Sequence, residues 1–196
     1  MTMPESPFRA ARGSSIEPLA VDDGRSLRDA YALFPTGVAI ITAISGGERV
    51  GMTVSSFATV SLAPPLVSFS VALSAKALEA WTSVTTFGVS ILADTQGDLS
   101  TRFARSLADK WSGVAVRQGE AAGLPLIEGA CGWLECAVHE RQPGGDHVTV
   151  LGRVLSAARN REAAGRPLLF FGGAYRLVSA EGGDPLPDAA MWLHGW

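Results

Sequence analysis

A chain of 196 residues with 47% hydrophobic and 18% charged residues is long enough to bury a core of its own, which excludes disorder throughout. Its 16 basic and 19 acidic residues leave a net charge of -3 without long like-charge runs, so no nucleic-acid partner is expected. Apolar runs stop well short of the roughly 20 residues that cross a bilayer, and the first residues carry no signal-peptide apolar region; the expectation is a cytoplasmic protein with no membrane partner.

Residues 1–24 mix Pro, Ser, Gly and charge with little apolar periodicity and predict a flexible N-terminal arm, ahead of one domain over residues 25–180. Ser26 is placed to cap a short helix whose Leu27, Ala30, Tyr31 and Phe34 fall at helical spacing before Pro35 ends it. Residues 38–44 and 49–61 read as a hairpin around Ser45-Gly46-Gly47-Glu48. The rigid pair Pro64-Pro65 leads into a strand over 66–73, followed by a helix over 75–81, a buried strand over 87–92 and a helix over 96–105. A second long hairpin joins 129–140 to 147–158 across residues 141–146, and strands over 168–171 and 175–178 close the sheet. Many short strands with few helices predict a mainly β, antiparallel barrel in preference to a parallel sheet. Residues 181–196 form a C-terminal tail whose Met191, Trp192, Leu193 and Trp196 are too apolar to stay free; it docks on its own domain or acts as a flap on a partner subunit.

Cys131 and Cys136 lie five positions apart in what reads as one strand, so their side chains face opposite sides and cannot bridge. A redox or metal pair would have a two-residue gap or histidine neighbours, so both are read as structural, reduced thiols with no metal site. Trp81, Trp111 and Trp133 are read as core or interface. No Ser-His-Asp arrangement suggests a hydrolase, and no Gly-x-Gly-x-x-Gly follows a strand.

The segment from Gly51 to Val71 carries the most chemistry. Val54, Phe57, Val60, Val67, Phe69 and Val71 form strands, while Thr53, Ser55, Ser56, Thr59, Ser61, Ser68 and Ser70 recur between them as neutral donors and acceptors. Such a wall suits a flat heterocycle with a polar edge.

The run Gly51-Met52-Thr53-Val54-Ser55-Ser56-Phe57 with a following Pro-Pro closely resembles the signature of the flavin reductase family that supplies reduced flavin to two-component monooxygenases. Phe34-Pro35-Thr36-Gly37-Val38, Phe87-Gly88-Val89-Ser90-Ile91-Leu92, Gln96, Phe103-Ala104, Gly145-Asp146-His147 and Gly172-Gly173-Ala174-Tyr175 continue the resemblance in order over about residues 26 to 179. It implies a six-stranded antiparallel split barrel with a few flanking helices, a homodimer with flavin near the interface, and transfer of hydride from NADH or NADPH to FMN or FAD for a partner monooxygenase.

By the same resemblance, Met52, Thr53, Val54, Ser55 and Ser56 line the isoalloxazine and ribityl chain, with Ser70 on the neighbouring strand; the plainer reading is hydroxyls on a solvent face. Ser74, Ala75 and Lys76 at one helix start, and Phe103, Ala104 and Arg105 near the end of another, where Arg102 also lies, are the phosphate candidates. Each cation alone also reads as a solvated surface charge. His147 is placed on the nicotinamide side of the flavin as the catalytic-site candidate, or else is a turn histidine paired with Asp146. Tyr175 borders the same cleft or is core with a wetted hydroxyl. A flavoprotein that keeps its flavin permanently, or a non-catalytic flavin-binding module, remains open beside the reductase.

Overall fold

The computed structural model describes residues 16–107 and 109–178, so the terminal stretches 1–15 and 179–196, including the predicted tail, lie outside the described residues. In chain order the elements are α1 (Gly24–Tyr31), β1 (Thr36–Gly37), β2 (Ala39–Ser45), β3 (Glu48–Val54), β4 (Ala58–Leu62), β5 (Pro65–Ala72), α2 (Leu78–Ser83), β6 (Thr86–Ile91), a 3-10 turn (Asp94–Gln96) and α3 (Gly97–Ala104). β7 (Val116–Gln118), β8 (Pro125–Ile127), β9 (Gly132–Gly144), β10 (His147–Arg159), β11 (Leu169–Phe171) and β12 (Ala174–Arg176) complete the chain. The protein is mainly β, as expected.

The main sheet has seven strands in the order β3-β2-β6-β9-β10-β5-β4, against the expected six, and every pairing in it is antiparallel. Consecutive strands β3 and β4 occupy its two opposite edges, although only residues 55–57 separate them. Four Cα steps reach ~15 Å at most, whereas the edges of a flat seven-stranded sheet would stand ~29 Å apart. The sheet must therefore curl until its edges approach. No ladder joins β3 to β4, so it remains open along that seam.

This crossover corrects the reading of 49–61 as one strand. The Ser70 amide donates to Ser56 Oγ at 3.1 Å, pinning the crossover to β5 and ending β3 at Val54. The β9–β10 hairpin also differs: its ladder continues to Gly144↔His147, leaving a two-residue turn where six loop residues were expected, and Gly145 takes φ 67 there. β11 and β12 do not close the main sheet but join β1 in a separate three-stranded one, and the two-stranded β7–β8 sheet was not anticipated. At the first helix, Asp23 and not Ser26 is the cap, accepting from the amides of Arg25 and Ser26 at 3.1 Å. No α1 residue is buried, so its helical spacing marks an apolar face left outside the core.

The core lies on both faces of β2. Ala39, Ile41 and Ala43 turn into the curled sheet with Phe69, Trp81, Phe87 and Val89, while Val38 and Ile40 turn the other way toward Leu92, Phe103, Ile127 and Leu168. Phe69 packs edge-on against Trp81 and Phe87, with centroids 5.9 and 5.0 Å apart. Cys131 and Cys136 fall in different clusters and are free thiols, as the spacing implied. Burial, aided by the Glu135 charge, pushes the Cys136 thiol up to about 12.

Thr42 on β2 is fully buried, and its hydroxyl has no hydrogen-bond partner. Replacing it with the near-isosteric Val removes a desolvated polar atom without opening a cavity. We expect Thr42→Val to raise stability by about 1 kcal/mol, read as an upward shift of the thermal midpoint; a lowered midpoint would show that the hydroxyl is satisfied in solution.

Candidate functional site

A cleft of about 660 Å³ opens where the β3 edge meets the turn before α2 and the end of α3. Its floor is Gly51, Met52 and Thr53; Ala75, Lys76, Ala77 and Trp81 form one wall, and residues 103–107 form the other, with Lys110 at the end. As an edge strand, β3 offers every second amide and carbonyl outward. The Arg49 carbonyl accepts from Trp111 Nε1 at 3.0 Å and the Gly51 carbonyl from Lys110 Nζ at 3.3 Å, which fixes the outward phase on residues 49, 51 and 53. The Gly51 and Thr53 amides therefore project from the free edge toward the cleft, a polar rail for the rim of a planar ligand.

Gly51 has no substitute at this floor. A Cβ there would meet the Phe103 ring at 2.6 Å and Trp111 at 3.0 Å, so glycine lets the β3 backbone approach α3. The Thr53 hydroxyl donates to the Ser100 carbonyl at 2.6 Å and ties the same two elements together. On the α2 side, the Arg141 guanidinium donates to the carbonyls of Trp81 and Val84, capping the helix that carries that wall.

A smaller lobe of about 200 Å³ adjoins the cleft, lined by Val38, Thr53, Ser55, Ala104, Phe170 and Tyr175, and shares Thr53 and Ala104 with it. Phe170 and Tyr175 meet edge to face at 5.9 Å. The Tyr175 hydroxyl donates to Ser100 Oγ at 2.8 Å, and Ser100 is fully buried.

Of the side chains expected from sequence, the fold brings Met52, Thr53, Ser55, Ala75, Lys76, Phe103, Ala104, Arg105 and Tyr175 to these two lobes. Val54 is corrected: strand alternation turns its side chain into the core, leaving only backbone for a ligand. Phe103 is likewise a core side chain, and reaches the cleft as part of its wall. Ser56 and Ser70 line neither lobe and serve the crossover, with Ser70 Oγ 3.4 Å from Thr149 Oγ1. Ser74, Ala75 and Lys76 do not begin α2: the helix starts at Leu78, so they form the turn before it, and Ser74 stays outside the lining. Arg102 points elsewhere, donating to the Ser112 carbonyl at 2.7 Å.

His147 opens β10 opposite Ala72, outside the lining of either lobe, with Nδ1 2.7 Å from Asp146 Oδ1. The hydrogen bond from His147, then its charge, holds the Asp146 carboxyl below its usual range. Sequence reasoning missed Lys110. Its ammonium donates to the carbonyls of Phe103 and Gly51 at 3.0 and 3.3 Å, and burial lowers its pKa. The only signal for it in sequence was one lysine beside Trp111, without periodicity.

Residues 31–179 match the family model described as flavin reductase like domain. The chain is 41% identical over 173 residues to an actinorhodin polyketide dimerase of Streptomyces coelicolor, covering 85% of this chain and 93% of the relative. It is 36% identical over 163 residues to the reductase subunit of a flavin-dependent monooxygenase of Mycobacterium tuberculosis, covering 83% and 87%. Two further curated relatives are longer, and the chain spans 44% and 59% of their lengths. Among solved structures, an NADH:FAD oxidoreductase of Streptomyces globisporus in complex with NAD and FAD fragments superposes with a TM-score of 0.80 at 38% identity, over 86% of this chain and all of that one.

Proposed function

The chain belongs to the flavin reductase like domain family, and we propose that it is an NAD(P)H:flavin oxidoreductase that passes hydride to FMN or FAD and releases the reduced flavin to a partner monooxygenase. One observation carries the reading: a cleft whose floor is a free strand edge and whose rim bears Lys76, Arg105 and Lys110. Its volume lies in the usual range for small-molecule sites. The outward amides of Gly51 and Thr53 suit the polar rim of an isoalloxazine, Met52 and Ala75 its apolar face, and the three cations its phosphate. These residues fit a flavin nucleotide.

Hydride donation and acceptance are supplied by the bound nicotinamide and flavin themselves. This chain's residues hold and align: the β3 edge fixes the flavin rim, and the cationic wall anchors the phosphate. The Thr53–Ser100 bond ties the β3 floor to α3, the helix that leads into the 103–107 wall. No side chain has to move a proton at the carbon that gives up hydride.

The decisive measurement is steady-state oxidation of NADH and of NADPH with added FMN, FAD or riboflavin. Saturating dependence on free flavin supports the proposal. Turnover that ignores added flavin, in a protein that purifies with a bound chromophore, would move the assignment to a flavoprotein with permanently held flavin. The sequence left that rival open, and the name of the polyketide dimerase relative keeps a non-reductase role in view.

We assign His147 to the nicotinamide side, because it lines neither lobe and sits at the β5–β10 end, where the Leu73 amide donates to the Asp146 carbonyl at 2.9 Å. Its side chain is 42% exposed and free to meet a ligand from that direction. His147→Ala should raise the nicotinamide KM severalfold, a loss on the order of 1 kcal/mol, with a smaller change in flavin KM. The reverse ranking would place His147 on the flavin, and no change would leave it a turn residue paired with Asp146.

A homodimer is also proposed. Tyr31, Leu33 and Phe34 are exposed, and the Gly172 amide donates to the Ala32 carbonyl at 2.9 Å, bringing them beside exposed Phe171 as one apolar face. Light scattering at micromolar concentration should give twice the chain mass, and a monomer would refute it. No described helix is long and apolar enough to cross a membrane, and a cytoplasmic site of action is part of the proposal.

A further inference from the structure

A second cavity lies away from the β3 cleft, at the end of the main sheet where β9 begins and β10 finishes. It has about 590 Å³ and shares no lining residue with the cleft or its side lobe. Ile91, Cys131, Trp133, Leu134 and Pro167 give it apolar walls, Arg159 is the one charged residue of its lining, and Trp133 spends its N–H on the Ile127 carbonyl at 2.7 Å. No carboxylate, hydroxyl or amide side chain lines it to orient a polar ligand. An apolar segment suits it better.

The chain itself carries such a segment. β12 runs back along β11, and its last pair sets Arg176 opposite Leu169, two residues from Pro167 in the cavity wall. The described residues end at Val178, just beyond that pair, and the family match ends at residue 179. Residues 179–196 hold Glu181, Asp184 and Asp188 but no Lys or Arg, and then Met191, Trp192, Leu193 and Trp196. The cavity rim has the opposite sign. Arg159 lines it, and Arg161 and Arg166 stand exposed on the loop that brings Ala164 and Pro167 to it, against one acid, Glu162. None of the three arginines is ion-paired among the described residues. Thirteen residues lead from Val178 to Met191, a reach of up to ~43 Å when extended, so length sets no obstacle.

We propose that residues 179–196 dock in this cavity of their own chain, with Met191, Trp192 and Leu193 against its apolar walls and the acids before them passing the three arginines. The inference does not depend on the reductase reading.

Cys131 reports the docking because it lines the cavity, while Cys136, fully buried in another cluster, serves as the internal control. The intact wild-type chain and a Trp192→Ser/Trp196→Ser variant would be labelled with N-ethylmaleimide and followed by peptide mass spectrometry. Loss of two large apolar anchors should make Cys131 react about tenfold faster in the variant, with Cys136 unchanged. Arg159→Glu should speed Cys131 in the same direction by a smaller factor that narrows at high salt, and it carries the test if the tail variant fails to fold. Equal Cys131 rates in variants and wild type would overturn the proposal and leave the tail to a flap role on a partner subunit. A matching rise at Cys136 would report opening of the whole fold and overturn it as well. Protection of Cys131 that grows with protein concentration would give the cavity to a second copy of the chain, again against the proposal.

Discussion

Replacing Lys110 by Met should raise the flavin KM by about ten- to a hundredfold, the effect of losing one charged hydrogen bond worth about 1.5–3 kcal/mol. The ammonium has three N–H donors. Two are directed to the carbonyls of Phe103, on one wall, and Gly51, on the adjoining floor, and the third remains for an anion bound in the cleft. Met keeps the length and apolar stem but removes the charge, so the change isolates the ammonium. Riboflavin, which lacks the phosphate, should be affected much less than FMN.

Burial lowers the Lys110 pKa from its ordinary 10.5, and the direction yields a second, independent check. A base whose folded pKa is depressed costs stability while it is protonated, and that cost fades as pH rises through the folded value. Flavin affinity should move the opposite way if Lys110 holds phosphate as proposed, because its charge disappears over the same range. The wild type should therefore lose affinity for FMN at a pH below the ordinary lysine range while gaining slightly in stability, and Lys110→Met should do neither. Equal KM values for FMN in variant and wild type would remove Lys110 from the site.

How much of this site could be read from sequence depends on where each residue's determinants lie. The Gly51-Met52-Thr53 floor was legible because it lies in one contiguous signature run, whereas the rings of Phe103 and Trp111 that exclude a Cβ at Gly51 come from distant parts of the chain. Val54 was misassigned because the motif names residues without their faces, and strand alternation puts it in the core. The run 49–61 looked continuous because Ser55 and Ser56 break no propensity rule; only the curl of the sheet, which brings its two edges together, turns them into a crossover. Lys110 was invisible because residues 105–127 have too little periodicity to announce an element. That excursion is held by tertiary contacts from Arg102, Trp111 and a carboxylate eight residues past its end.

That carboxylate belongs to Glu135, and its removal should be the most destabilising change among those considered. Its side chain is only 1% exposed, yet no cation pairs with it among the described residues. The amides of Ala121, Ala122 and Leu124 donate to it at 2.7, 2.9 and 3.3 Å, and Ser156 Oγ at 3.0 Å. The loop runs so close that a Cβ on Gly119 would lie 2.1 Å from Glu135 Oε1. Glu135→Ala leaves three loop amides without an acceptor and should cost roughly 3–5 kcal/mol. Glu135→Gln tests the same bonds with less loss of volume, since its NH₂ group would face an amide N–H. Because this loop ends the excursion that delivers Lys110, both variants should also raise flavin KM while the chain remains folded.

The pH dependence follows in sign. Burial alone would raise the Glu135 pKa, but the three amides and Ser156 together outweigh it and hold the carboxyl below its usual value. A carboxylate with a lowered folded pKa contributes stability that is present above the unfolded value of about 4.3 and lost as pH falls through the folded one. Thermal melts from neutral pH downward should therefore show an acid-induced loss in wild type that is smaller in Glu135→Gln, on top of a lower midpoint at pH 7. A variant that melts like wild type at neutral pH, or that keeps the whole acid limb, would mean that the loop is anchored by something other than this carboxylate, and that Lys110 owes its position to the Trp111 and Arg102 contacts alone.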